Sequence, residues 1–168
     1  MINATLRSLL PAAVLVGIAM APLAGQAATA TETRSLPEFT ALASAGSGDI
    51  RVGALQTPAL QLSISGSGNA SLSGLDADEL GISISGSGDV RGDGRSTKLN
   101  ISIAGSGDVR LAGLRSDEVT VKIAGSGDAA VQAQKTLSVS IAGSGDVSYC
   151  GDATVKSSVA GSGAVKKR

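Results

Sequence analysis

An acidic or amide side chain follows the Gly-Ser-Gly triplets of this sequence, at Asp49, Asn69, Asp89, Asp108, Asp128 and Asp146, until Ala164 breaks the series. Recurring carboxylates are the raw material of a calcium site, because calcium gathers several oxygen ligands. The spacing speaks against one. In the calcium-binding nonapeptide repeat the pattern is Gly-Gly-x-Gly-x-Asp, whereas here the acid follows the second glycine directly and recurs after about 18 to 20 residues. The expected role is to accept backbone hydrogen bonds at a bend, as Asp and Asn do in turns. Stacked in register the six residues form one outward column. Carboxylates about 4.8 Å apart repel by only about 1 kcal/mol in water, and Arg51, Arg91 and Arg110 follow Asp49, Asp89 and Asp108 by two residues.

The triplet serines, Ser47, Ser67, Ser87, Ser106, Ser126, Ser144 and Ser162, form a second candidate column. A serine nucleophile needs a base and a group to orient that base. The chain contains no histidine, so the usual triad cannot be built, and turn serines are the expectation. The triplets also lack the Gly-Lys-Ser/Thr continuation of a phosphate loop and a helical pattern after it. No catalytic residue, cofactor or metal ligand is expected.

The elements that carry these columns are legible from the spacing. The triplet begins at Gly46, Gly66, Gly86, Gly105, Gly125, Gly143 and Gly161, and its second glycines are Gly48, Gly68, Gly88, Gly107, Gly127, Gly145 and Gly163. A period near twenty is the mark of stacked supersecondary units. Ahead of each triplet from the second onward runs a strict alternation, such as Leu99, Ile101, Ile103 and Leu137, Val139, Ile141, weakening to Val155, Ser157, Val159. These read as inward positions of short strands. The parity passes unbroken through the glycines, so the triplet is a bend between two strands where a missing Cβ permits a sharp turn or a positive φ.

Six residues separate the first alternating aliphatic from the next triplet in every such unit, so length varies only in the other half of the coil. That half reads Gly74-Leu75-Asp76-Ala77-Asp78-Glu79 or Gly113-Leu114-Arg115-Ser116-Asp117-Glu118 where long, and Gln132-Ala133-Gln134-Lys135 where short. The expectation is an exposed polar turn. The fold expected is all-β, a β-solenoid of about seven coils of 18 to 20 residues. At about 4.8 Å per coil it makes a rod roughly 34 Å long. Its aliphatic interior is stabilised by about 1.5–3 kcal/mol per fully buried side chain.

Composition agrees. Phe39 and Tyr149 are the only aromatic residues and 23 residues are Gly, a poor set for an irregular globular core but adequate where aliphatic side chains stack on their equivalents. Net charge is zero, with scattered basic residues, so no phosphate-tracking groove for nucleic acid is expected. Cys150 is the single cysteine, which rules out an intramolecular disulfide and suggests a buried thiol.

Arg7 precedes an apolar run from Leu9 to Leu23, followed by Ala24, Gly25 and Ala27. This is the layout of a secretory signal peptide over residues 1–27, cleaved after Ala27. The mature domain is then 28–168, exported to the periplasm or beyond the cell, with no membrane-spanning segment of its own. Pro37 and Phe39 suit an opening cap. Lys166-Lys167-Arg168 suits a solubilising tail that discourages further strand pairing.

With Arg34-Ser35-Leu36 leading to Phe39, then Ala45-Gly46-Ser47-Gly48-Asp49-Ile50-Arg51-Val52 and the recurring Ala-Gly-Ser-Gly-Asp-Val units, the chain resembles the bacterial head GIN domain family. The resemblance covers about residues 34 to 165. It implies a right-handed parallel β-helix in an envelope or secreted protein with an auto-transporter-adhesin role and no catalytic residues to carry over. The expected function is a non-catalytic structural or interaction module of the envelope whose partner is another macromolecule. The competing expectation is a self-assembling secreted fibre subunit.

Overall fold

The computed structural model describes residues 41–168. The expected leader over residues 1–27, and Pro37 and Phe39 of the expected cap, lie outside the described residues. Ten strands follow one another: β1 (Ala41–Gly46), β2 (Ile50–Val52), β3 (Leu55–Gly66), β4 (Ala70–Gly86), β5 (Val90–Gly105), β6 (Val109–Gly125), β7 (Ala129–Gly143), β8 (Val147–Cys150), β9 (Thr154–Gly161) and β10 (Val165–Lys167). All belong to one sheet in the order β1-β3-β4-β5-β6-β7-β8-β10, with β2 on β4 and β9 on β7. Every pairing is parallel. The chain is a β-solenoid of about seven turns, each coil hydrogen-bonded to the one before and the one after.

The burial pattern gives the cross-section. In β4 the inward residues are Ala70 and Leu72, then Leu75 and Ala77, then Leu80, Ile82 and Ile84. Steps of two within each group are ordinary strand alternation, while the steps of three between groups turn the chain to present a new side. With the glycine bend these corners make a three-sided coil. Like residues stack in register on the longest side: Leu80 on Leu99, Ile82 on Ile101 and Ile84 on Ile103, then Val119, Val121 and Ile123. Each aliphatic is covered above and below by its counterpart, so the core needs no aromatic filler.

The variable segment is not a surface turn. Gly74–Glu79 and its counterparts are paired strand, and Leu75, Ala77, Leu114, Ser116 and Ala133 face inward as the third side of the coil. The polar residues that suggested a loop are the outward half of an alternation, hidden by brevity and by corners that reset its parity. The expected confinement of length changes does hold. Register shifts fall between Leu72 and Leu75, Arg91 and Asp93, Leu111 and Arg115, and Ser116 and Glu118, and none falls in the Leu80–Gly86 half of the coil.

The C-terminal residues also differ from expectation. Val165–Lys167 is strand β10, paired with β8, and Lys167 Nζ lies 3.1 Å from Asp152. The basic end is therefore part of the last coil. Cys150 is partly exposed.

Candidate functional site

The two triplet glycines are required for different reasons. Gly105 has φ 134°, in the region that L side chains rarely adopt, and a Cβ there would also collide with the carbonyl oxygen of Gly86. Gly107 has no positive φ, but its Cβ would strike Gly88 O and sit 2.9 Å from Ile84 Cγ2. The first glycine allows the bend and the second allows the coils to stack at it. The bend amides continue the ladder: Ser106 N donates to Gly86 O at 2.9 Å and Ser126 N to Gly105 O at 2.9 Å.

Asp49, Asn69, Asp89, Asp108, Asp128 and Asp146 are joined in one column by hydrogen bonds that run between coils. Asn69 N donates to Asp49 Oδ1 (3.1 Å), Asp89 N to Asn69 Oδ1 (3.3 Å), Asp108 N to Asp89 Oδ1 (3.2 Å) and Asp128 N to Asp108 Oδ1 (3.1 Å). Asp146 N donates to Asp128 Oδ1 (2.9 Å) and Ala164 N to Asp146 Oδ1 (2.8 Å). Each side chain accepts from the amide of its equivalent one coil on, and so carries the ladder across the corner. Of the three arginines expected to neutralise the column, Arg110 does so, at 2.9 Å from Asp108 and 3.5 Å from Asp89. Among the described residues no group of three His, Cys, Asp or Glu side chains is arranged to hold a metal ion. The triplet serines are exposed in β-bend positions, and no hydrogen bond joins their hydroxyls to a base among the described residues.

Two features were hidden in the segment taken for a turn. Ser96 and Ser116 meet inside the solenoid with their Oγ atoms 2.8 Å apart, and Ser116 is 1% exposed. They occupy the column of Ala77 and Ala133, where a hydroxyl pair satisfies itself without water.

The second feature is an open groove of about 830 Å³ along the corner formed by Ala54, Gly74 and Gly94, lined beside them by Leu55 and Leu75 and edged by Gln56, Asp76, Arg95 and Arg115. Gly94 stands in register between Leu75 and Leu114 with φ 136°, and a Cβ there would collide with Leu75 O. The coil of β5 is one residue short at this point, between Arg91 and Asp93, so the surface is indented. Along the edge, Gln56 pairs with Asp76, Asp76 with Arg95, Arg95 with Arg115 and Arg115 with Gln132. Arg95 Nη2 binds Asp76 Oδ2 at 2.7 Å. That hydrogen bond and the guanidinium charge hold the Asp76 carboxyl below the usual carboxylate range, with help from Gln56, and raise Arg95 in return. Arg115 has no carboxylate within 4.0 Å among the described residues.

Two solved structures share this architecture. A putative adhesin from Bacteroides fragilis superposes with a TM-score of 0.73 at 26% identity, over 79% of this chain and 62% of its own. A putative lipid binding protein from Parabacteroides distasonis superposes with a TM-score of 0.60 at 24% identity, over 78% of this chain and 62% of its own. This chain thus spans about 62% of the length of either neighbour. No curated protein matches the sequence. The family described as "Putative auto-transporter adhesin, head GIN domain" matches residues 25–153, which take in the first six triplets and the Asp column, and the chain belongs to that head GIN domain family.

Proposed function

We propose that this protein is an exported, non-catalytic interaction module of the bacterial envelope, adhesin-like in that its rigid outer surface contacts other macromolecules. The observation that carries this reading is the outward face of the long side, where residues repeat in register from coil to coil. Ser63, Ser83 and Ser102 form one such column and Ser65 and Ser85 begin another. A stacked parallel ladder holds these groups at fixed spacing with little loss of freedom on contact, which is what a preorganised binding surface needs. The family description and the name of the Bacteroides fragilis neighbour support the adhesive role, and the leader over residues 1–27 supports export.

Beads coated with the purified protein should bind bacterial or host cell surfaces more than beads coated with a heat-unfolded sample. Equal binding would overturn the reading. Amino-terminal sequencing of protein recovered from the envelope or medium should start at Ala28. The fibre-subunit reading draws on one observation, the last coil, where Val159 is 40% exposed on an unpaired edge. Concentration-dependent growth in light scattering would put that reading first.

A further inference from the structure

We propose that the groove along the Ala54, Gly74 and Gly94 corner is a binding site for an extended acidic polysaccharide, with the Arg115 guanidinium meeting a sugar carboxylate; this deepens the interaction-module reading and rests on it. The groove crosses four coils, from Ala54–Gln56 to Arg115. Three steps of about 4.8 Å make it roughly 14 Å long, and the coil spacing is close to the advance of one ring along an extended polysaccharide. Its edge presents an amide, a carboxylate and two guanidinium groups in register, at Gln56, Asp76, Arg95 and Arg115.

Within that row Asp76 is spent on Arg95, while Arg115 stands next to Arg95 without a counter-ion among the described residues. Asp76 lies on the far side of Arg95 and matches that cation alone, so the charge of Arg115 is left for an anionic ligand to complete, and the planar fork of Arg suits a carboxylate. The glycine corner removes the side chains that would fill the indentation, so a chain of rings can lie along the exposed corner at Ala54 and Gly74. Nucleic acid fits poorly. It needs a longer row of cations and aromatic faces for stacking, and here the Asp column runs along another corner of the same coils.

The test uses polygalacturonate as the probe at low salt, dextran as the neutral polymer and polyglutamate as an acidic peptide. Polygalacturonate should bind and dextran should not, and affinity should fall as salt is raised. Arg115→Ala should weaken binding by about tenfold or more. Asp76→Asn frees Arg95 for the ligand and should tighten binding by about threefold. Lys135→Ala, which removes a cation outside the groove, should leave it unchanged. Arg115 and Lys135 are exposed and Asp76 is half-buried at the surface, and circular dichroism checks that each variant is folded. The groove assignment is overturned by polygalacturonate failing to bind, by Arg115→Ala matching the parent, by weaker binding in Asp76→Asn, or by polyglutamate binding as tightly as the polysaccharide. If beads still adhere to cells when polygalacturonate does not bind, the groove fails and the broader reading stands; if neither binds, both fail.

Discussion

The internal coils and the last coil carry the same sequence pattern and have different environments. Leu99, Ile101 and Ile103 are each no more than 2% exposed, whereas in β9 Val155 is only partly buried, Ser157 is exposed and Val159 is 40% exposed. The registers are equivalent, since Val155, Ser157 and Val159 stack on Leu137, Val139 and Ile141. In a solenoid a side chain is buried by the coils on either side of it, so burial depends on position in the stack as much as on residue type. The replacement of an aliphatic by Ser157 costs little where no further coil covers it. Ala164 marks the same boundary for the Asp column: its N–H is accepted by Asp146, but it has no side-chain oxygen to offer onward.

This contrast predicts the largest effect for a charge inside the stack. Ile103→Asp should abolish folding, because an unpaired buried carboxylate costs several kcal/mol, while Val159→Asp in the last coil should keep the fold with a nearly unchanged Tm. Equal melting curves for the two variants would remove the distinction between middle and end. Glycine variants sharpen it further. Gly105→Ala forces a side chain into a positive-φ position and against Gly86, and should destabilise the whole molecule by about 1–3 kcal/mol. Gly161→Ala meets the same local strain, with φ 141°, yet should act mainly by speeding amide exchange in β9 and β10, because the end coil can loosen alone.

A smaller effect is expected at the interior hydroxyls. Ser116→Ala should cost about 1–2 kcal/mol by leaving Ser96 buried without a partner, whereas Ser96→Ala combined with Ser116→Ala should recover most of the loss. A double variant as unstable as the single one would show that the pair does more than satisfy itself.

The smallest effect concerns the exposed Arg95–Asp76 bridge. Its contribution is present above the unfolded carboxylate pKa and is lost as pH falls through the lower folded value, since the Asp76 carboxyl is depressed by its hydrogen bond to Arg95. Acidification from about pH 4 downward should therefore narrow the Tm difference between the parent and Asp76→Asn. Added salt at neutral pH should narrow the same difference, because exposed bridges are screened.

Sequence alone determined the repeat, the inward parity and the bend, because period and alternation are properties of the chain itself. Leu99, Ile101 and Ile103 announce a strand, and a Gly-Ser-Gly triplet every 18 to 20 residues announces a coil. It also gave the spacing of the Asp column and the expectation that these side chains accept from backbone amides, without the partners. That each Oδ1 is paired with an amide 18 to 20 residues later follows from stacking, which no local pattern records. The third side of the coil was missed for the same reason. Between Leu72 and Leu80 the alternation resets twice at corners, so Leu75 and Ala77 look like isolated apolar residues in a polar turn. Only the pairing of one coil on the next shows Ser96 on Ser116 inside the molecule, and Asp76, Arg95 and Arg115 in one row outside it. Side chains some twenty residues apart in sequence become neighbours about 4.8 Å apart once the coils stack, and it is that tertiary contact which makes the groove.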